Sequence, residues 1–248
     1  MRRSAIPRFR FESAGRSEAG NVRRRNEDAC LASDELGLWA VADGMGGHSN
    51  GDQASKAAIS ALAALPPAAT AADQMAQARD ALQRVNWQLC NQAGEDDVIG
   101  TTIVVLGARG DRYGVAWAGD SRLYLARAGT LRQITRDHSH VQELVDSGAL
   151  TPAEARRHPQ ANVLTRAVGA ELALDLDVAG DAIRDRDRFL LCSDGLGKDV
   201  DEGEIAALMQ ADEPVRRIAD RLVELALTRS GVDNITVVVV SVGLADSE

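Results

Sequence analysis

Acidic residues in this chain stand where apolar runs begin or end. Leu38-Trp39-Ala40-Val41-Ala42 runs into Asp43-Gly44, Val115-Ala116-Trp117-Ala118 into Gly119-Asp120, and Phe189-Leu190-Leu191-Cys192-Ser193 into Asp194-Gly195. Asp233-Asn234 stands just before Ile235-Thr236-Val237, and Glu27-Asp28 opens the run to Ser33. A carboxylate at the edge of a buried run is costly unless something compensates it. One such place reads as an Asp-Gly turn. Five of them in one chain suggest side chains that converge, because the strand ends of packed sheets lie near one another. Converging carboxylates repel unless a cation sits between them. All-oxygen donors select hard ions, Mg²⁺ or Mn²⁺ rather than Zn²⁺, and a glycine beside a ligand lets the backbone carbonyl approach. The pattern predicts a site for more than one ion.

Arg23-Arg24-Arg25 lies just ahead of Asn26-Glu27-Asp28. Guanidinium groups beside such ligands suit a phosphate, held by metal on one side and a planar cation on the other. The plain alternative is a solvated basic turn. Asp43-Gly44-Met45-Gly46-Gly47-His48 is glycine-rich but matches neither the P-loop nor the dinucleotide-binding fingerprint. Cys30, Cys90 and Cys192 have no C-x-x-C spacing and none precedes an arginine by six positions. They read as core thiols in a reducing compartment. His138, His140 and His158 read as loop or hydrogen-bonding residues rather than ligands.

The elements that must carry these residues are legible in part. Phe9 to Ser13, Asp28–Ser33 and Leu38–Ala42 read as strands. An alanine-rich helix follows Gly51 and ends at Pro66-Pro67, and a second runs over Asp73–Ala93. Ile103–Leu106, Tyr113–Trp117, Leu123–Ala126 and Leu131–Ile134 are joined by short turns, which predicts an antiparallel meander. Residues 138–165 are polar, rich in His and interrupted by Pro152 and Pro159, so short helices and irregular chain are expected there. Leu172–Val178 and Arg188–Cys192 read as strands, Glu202–Gln210 as a helix, and Pro214 as the opening of another with Val215, Ile218, Ala219, Leu222 and Leu225 on its buried stripe. Ile235–Val242 closes the pattern as a strand buried on both faces. Helices come in pairs between blocks of strands, which is α+β with antiparallel sheets, and no linker or repeat divides the chain.

Composition excludes several classes. The 248 residues carry 28 Lys plus Arg against 37 Asp plus Glu, a formal charge of −9. That balance disfavours nucleic acid and anionic membrane as partners and weighs against a metal nuclease. Aromatics are 3% of residues, too few for base-stacking platforms. No run of about 18 apolar residues predicts a membrane span, and no apolar stretch follows Arg2, Arg3, Arg8 and Arg10, so no secretory leader is expected. A cytoplasmic location follows as the expectation.

Taken together, the short motifs resemble the PP2C-like (PPM) family of metal-dependent Ser/Thr protein phosphatases, in its bacterial form. Gly20-x-x-Arg23-x-x-Asn26-Glu27-Asp28 and Asp43-Gly44-Met45-Gly46-Gly47-His48 carry the resemblance first. Gly100-Thr101-Thr102, Gly119-Asp120-Ser121-Arg122 and Thr135-Arg136-Asp137-His138-Ser139 follow. Leu164-Thr165-Arg166-Ala167-Val168-Gly169, Ser193-Asp194-Gly195-Leu196 and Asp233-Asn234-Ile235-Thr236 complete it in order. The resemblance implies one domain over residues 1–248, a four-layer αββα sandwich of two antiparallel sheets flanked by helix pairs. Residues 1–8 would form a tail and 138–165 a flap beside the active site.

It also implies roles. Asp43 would bridge two Mn²⁺ or Mg²⁺ ions. Asp194 and Asp233 would complete one ion, and Glu27 with the carbonyl of Gly44 the other. Asp28 would hold a metal's water from behind the ligands, Asp120 would belong to a weaker third position, and Arg23 would bind the substrate phosphate. A monomer acting on phosphorylated proteins, opposing a eukaryotic-like Ser/Thr kinase, is the implied setting. The alternative is a catalytically silent relative that binds phosphoproteins. Two positions depart from the family's pattern. Met45 stands where animal relatives carry a candidate general-acid histidine, and His48 does not inherit that role, which leaves the acid unassigned with a metal-held water preferred. Lys198 stands four after Asp194, where the family often has an acid. Either the lysine opposes a cation at the third position, or the local chain shifts and Asp199 substitutes.

Overall fold

The computed structural model describes residues 9–46, 50–94 and 98–245; the expected tail over 1–8 and His48 lie outside them. Three strands open the chain, β1 (Phe9–Glu18), β2 (Asp28–Ser33) and β3 (Leu38–Met45), followed by helices α1 (Asn50–Ala63) and α2 (Ala71–Gln92). The short β4 (Gly100–Thr101) leads to β5 (Ile103–Arg109), β6 (Arg112–Ala118), β7 (Arg122–Arg127) and β8 (Thr130–Gln133). Helices α3 (His140–Asp146) and α4 (Pro152–Ala155) precede β9 (Asp177–Ala182) and β10 (Arg188–Cys192). Helices α5 (Asp194–Asp199), α6 (Glu202–Gln210) and α7 (Val215–Arg229) come before the last strand, β11 (Ile235–Leu244).

The strands form two antiparallel sheets. One runs β1-β11-β10-β7-β8; the other runs β2-β3-β5-β6-β9, with β4 beside β3. The period of two along each strand explains the layers. In β3, Trp39 and Val41 face the opposite sheet, while Leu38, Ala40 and Ala42 meet Ala54, Ala58, Leu82 and Val85 of α1 and α2. In β11, Val238, Val240 and Val242 point inward and Val237 and Val239 meet Ile218 and Leu222 of α7. A strand covered on both faces is mostly apolar, which is why the middle of β11, Val237 to Val240, reads as a valine run. This is the expected αββα order. Side-chain caps fix two of the covering helices: Thr70 and Asp73 form a reciprocal box at the start of α2, and Asp201 and Glu204 do so at α6.

Three expectations are corrected. The four strands between Ile103 and Ile134 are not one meander. β5 and β6 pair in one sheet and β7 and β8 in the other, so the chain crosses between sheets at Gly119-Asp120-Ser121. The strand expected over 172–178 begins at Asp177 instead. Leu172 is exposed and Leu174 packs beside α2 as irregular chain, so three alternating leucines mimic a strand without a neighbour to pair with. A helix, α5, occupies 194–199 where none was expected.

Residues 138–165 form a loop closed at its neck. Ser139 bridges Leu164, the His138 N–H donates to the Gly119 carbonyl at 2.9 Å, and the Thr165 N–H donates to the His138 carbonyl at 2.9 Å. The His138 ring stacks on Trp117 and its Nδ1 accepts from the Gly119 N–H at 3.3 Å. Burial lowers its pKa, against the pull of Asp177. His138 is a hydrogen-bonding loop residue, as expected, and so is His158, whose Nδ1 accepts from the Gln160 N–H.

Candidate metal and phosphate site

The acidic strand ends meet at one end of the sandwich. Asp28 and Asp43 are cross-strand neighbours on β2 and β3. Asp194 leaves β10 and Asp233 precedes β11, two strands that also pair directly. Asp120 sits at the crossing between the sheets. Glu27, Asp43, Gly44, Asp120, Asp194 and Asp233 line a single cavity of about 480 Å³, together with Arg23, Arg24, Arg25 and Lys198. Asn162 and Leu164 of the 138–165 loop complete its wall. Asp28 is not on the wall; it lies buried behind it, accepting from Ser193 Oγ at 2.8 Å.

Polar groups inside otherwise apolar strands hold the floor. The Asp43 N–H donates to Thr102 Oγ1 at 3.0 Å, and Thr102 Oγ1 pairs with Ser121 Oγ at 2.7 Å. Ser193 Oγ also accepts from the Thr236 N–H. Asn234 Oδ1 accepts from the Glu27 N–H at 2.8 Å, and its Nδ2 donates to the carbonyls of Ala19 and Arg25. One amide thus ties the arginine-bearing turn to the head of β11. Close backbone approach needs glycine at two points. A Cβ on Gly44 would stand 2.1 Å from the Gly51 carbonyl oxygen, and one on Gly195 2.0 Å from that of Asn234. Ser193, Asn234, Thr102 and Thr236 were not singled out as working residues in the sequence. The signal was there: a hydroxyl or amide at the head of a buried strand is as costly as a carboxylate unless it is bonded.

Residues 12–144 match the family model described as Protein phosphatase 2C. The chain belongs to the protein phosphatase 2C family. It is 43% identical over 233 residues to the serine/threonine protein phosphatase PstP of Mycobacterium tuberculosis, covering 92% of this chain and 44% of that relative, so it spans under half of that relative's length. Among solved structures it is similar to PppA, described as a key regulatory component of T6SS in Pseudomonas aeruginosa, with TM-score 0.86, 43% identity and coverage of 94% and 99%. It is also similar to the PstP catalytic domain in complex with two manganese ions, with TM-score 0.85, 38% identity and coverage of 95% and 100%.

The electrostatics of this PP2C-family cavity divide it. Burial, then repulsion from Asp28, Asp194, Asp120 and Asp233, pushes the Asp43 carboxyl well above the usual range. Burial raises Asp28 to about 6, against hydrogen bonds from Thr236 and Ser193. Burial and the charges of Asp194 and Asp137 raise Asp120 to about 7. Burial also raises Asp194, with Lys198 opposing. Asp233 goes the other way: burial acts upward on it, but Lys198 and Arg23 outweigh that and hold it low. Arg23 Nε lies 2.8 Å from Asp233 Oδ1.

These residues fit divalent cations. The donors are all oxygen, the cavity has room, and Asp28 Oδ1 and Asp194 Oδ1 are buried acceptors with no partner. Among the described residues no three acidic, His or Cys side chains lie close enough, as they stand, to grip an ion. Lys198 instead lies between Asp194 and Asp233, with its ammonium group on both. Asp199 does not face the cavity in its place. Its carboxyl accepts from Ser230 Oγ and from the Gly231 N–H, and it lines the adjoining groove rather than this cavity.

Proposed function

We propose that this chain hydrolyses phosphoserine and phosphothreonine in proteins, using two Mn²⁺ or Mg²⁺ ions. One observation carries the reading: carboxylates from five separate strand ends line one cavity together with Arg23. Asp43 would serve both ions, Asp194 and Asp233 one of them, and Glu27 with the Gly44 carbonyl the other. Asp28 would order the floor behind them, and Asp120 would belong to a third, weaker position. Bound ions would supply a nucleophilic water at neutral pH and offset charge on the phosphoryl oxygens.

The chain's own residues do the rest. Arg23 is more than half exposed at the mouth of the cavity and reaches inward, so its guanidinium is placed to orient a phosphate. No cysteine lines the cavity. Cys192 is fully buried and burial pushes its thiol up to about 12, which removes the thiolate a covalent mechanism would need. Asn162 and Leu164 bring the 138–165 loop to the rim, where it would act as a flap over the phosphate. The same proposal makes the chain one domain, monomeric and cytoplasmic, and sets it against a Ser/Thr kinase.

The test is hydrolysis of a phosphothreonine peptide with Mn²⁺ and then with EDTA. Turnover that depends on Mn²⁺ supports the reading. Peptide binding with no turnover in either condition would show a silent phosphoprotein-binding relative instead.

A further inference from the structure

The cavity already contains a cation. Lys198 lies one helical turn after Asp194 on α5, and its Nζ stands 2.5 Å from Asp194 Oδ2 and 2.8 Å from Asp233 Oδ2. Both are oxygens that the proposed function assigns to one divalent ion. A primary ammonium and a metal ion compete for this pair, because the ammonium occupies the inward Oδ2 atoms and its charge repels a cation held on the same carboxylates. The lysine is only about a quarter exposed, so the pair is shielded enough from water to matter.

We propose that Lys198 is a tethered competitor of the metal: it closes the Asp194–Asp233 pair in the metal-free protein and must swing out when the ion binds. The inference rests on the metal reading above. It sets a higher free-metal threshold for loading than the carboxylates alone would give. It also keeps the metal-free cavity from being torn by its own negative charge.

Composition makes the test clean. Only two of the 28 basic residues are lysines, Lys56 and Lys198. Both pair with an aspartate four residues before them, but Lys56 is largely exposed. An amine-acylating reagent applied to the full chain, followed by peptide mass spectrometry, therefore reads Lys198 against an internal control. Without metal, Lys198 should be acylated more slowly than Lys56, and saturating Mn²⁺ should speed its acylation severalfold while leaving Lys56 unchanged. By titration calorimetry K198M should bind Mn²⁺ about tenfold more tightly than the parent, the order expected from freeing one partly buried bridged pair. In EDTA it should melt at a lower temperature.

If Mn²⁺ binds the parent but neither exposes Lys198 nor binds K198M more tightly, the competitor role falls and the metal centre stands. If the parent binds no Mn²⁺ at all, both fall. Should K198M not fold, the acylation of the parent decides alone.

Discussion

The floor and the wall of the cavity are built from the same residue type and behave in opposite ways. On the floor, Asp28, Asp43 and Asp120 come off strand ends, and burial pushes their carboxyls up. On the wall, Asp233 stands between Lys198 and Arg23 and is held low. What separates them is the counter-charge. The wall brings its own cations on flexible side chains in direct contact with Asp233, whereas at the floor Lys198 and Arg122 act on Asp120 without overcoming its burial. A cavity divided in this way can hold divalent ions among its carboxylates once Lys198 has moved aside, and leave Arg23 at its mouth for a phosphate dianion, without either charge being left unpaired.

The harshest way to break this contrast is to neutralise the floor. Asp43→Asn should cost about a thousandfold in Mn²⁺-dependent turnover, the equivalent of several kcal/mol of lost electrophilic stabilisation. The fold should survive, and the melting temperature in EDTA should stay level or rise, since one repelling anion is gone. A phosphopeptide assay and a thermal melt check both halves. Near-parental turnover would remove Asp43 from the centre of the site.

The floor should also reveal itself through pH. Carboxyls whose folded pKa is raised hold protons more tightly in the native state than in the unfolded one. Their contribution to stability is full below about pH 4 and is lost as pH rises through about 6 for Asp28 and about 7 for Asp120. Metal-free protein should therefore melt roughly 5 °C lower at pH 7.5 than at pH 6, a drop of about 2 kcal/mol. Saturating Mn²⁺ should reverse the trend, because the ion competes with protons for the same oxygens. A metal-free melting temperature that climbs over this interval would mean that the cations near the floor outweigh its burial.

At the wall the expected effect is smaller and falls on substrate. Arg23→Ala removes a charged donor that water partly replaces, so KM for a phosphopeptide should rise about tenfold. The Mn²⁺ dissociation constant should move by less than that. A larger change in metal affinity than in KM would transfer Arg23 from the phosphate to the floor.

The two regions were unequally legible from sequence. Floor residues announce themselves because an aspartate at the end of a buried run is locally anomalous. The family's order of short motifs then attached roles to Glu27, Asp43, Gly44, Asp194 and Asp233. The limits of β10 and α6 were also plain, with Pro214 and the Asp201–Glu204 box acting as local stops and starts. What stayed hidden was non-local. Short turns join β6 to β7 as they join β5 to β6, yet the first connection crosses between sheets and the second does not. Only packing on opposite helix pairs decides that. The Leu172–Leu176 stretch alternates like a strand and finds no partner. The choice between Lys198 and Asp199 could not be made on spacing, since neighbours on a helix differ by about 100° and the facing chain selects one of them.

That last choice gives the smallest predicted effect and the finest probe of the division. The Asp199 carboxyl accepts from Ser230 Oγ and the Gly231 N–H, holding the turn that leads to Asp233 from its outer side. Asp199→Asn keeps one acceptor oxygen and gives up the other, in a residue outside the cavity. The cost should be about 1 kcal/mol of stability or less, with Mn²⁺ affinity and turnover within about twofold of the parent, a difference well below 1 kcal/mol. Calorimetry and the phosphopeptide assay on this variant, beside Asp194→Asn, measure how sharply the wall ends. If Asp199→Asn weakened Mn²⁺ binding as strongly as Asp194→Asn, α5 would have to rotate when the ion arrives, bringing Asp199 inward as Lys198 leaves. The wall would then be a moving part rather than a fixed boundary.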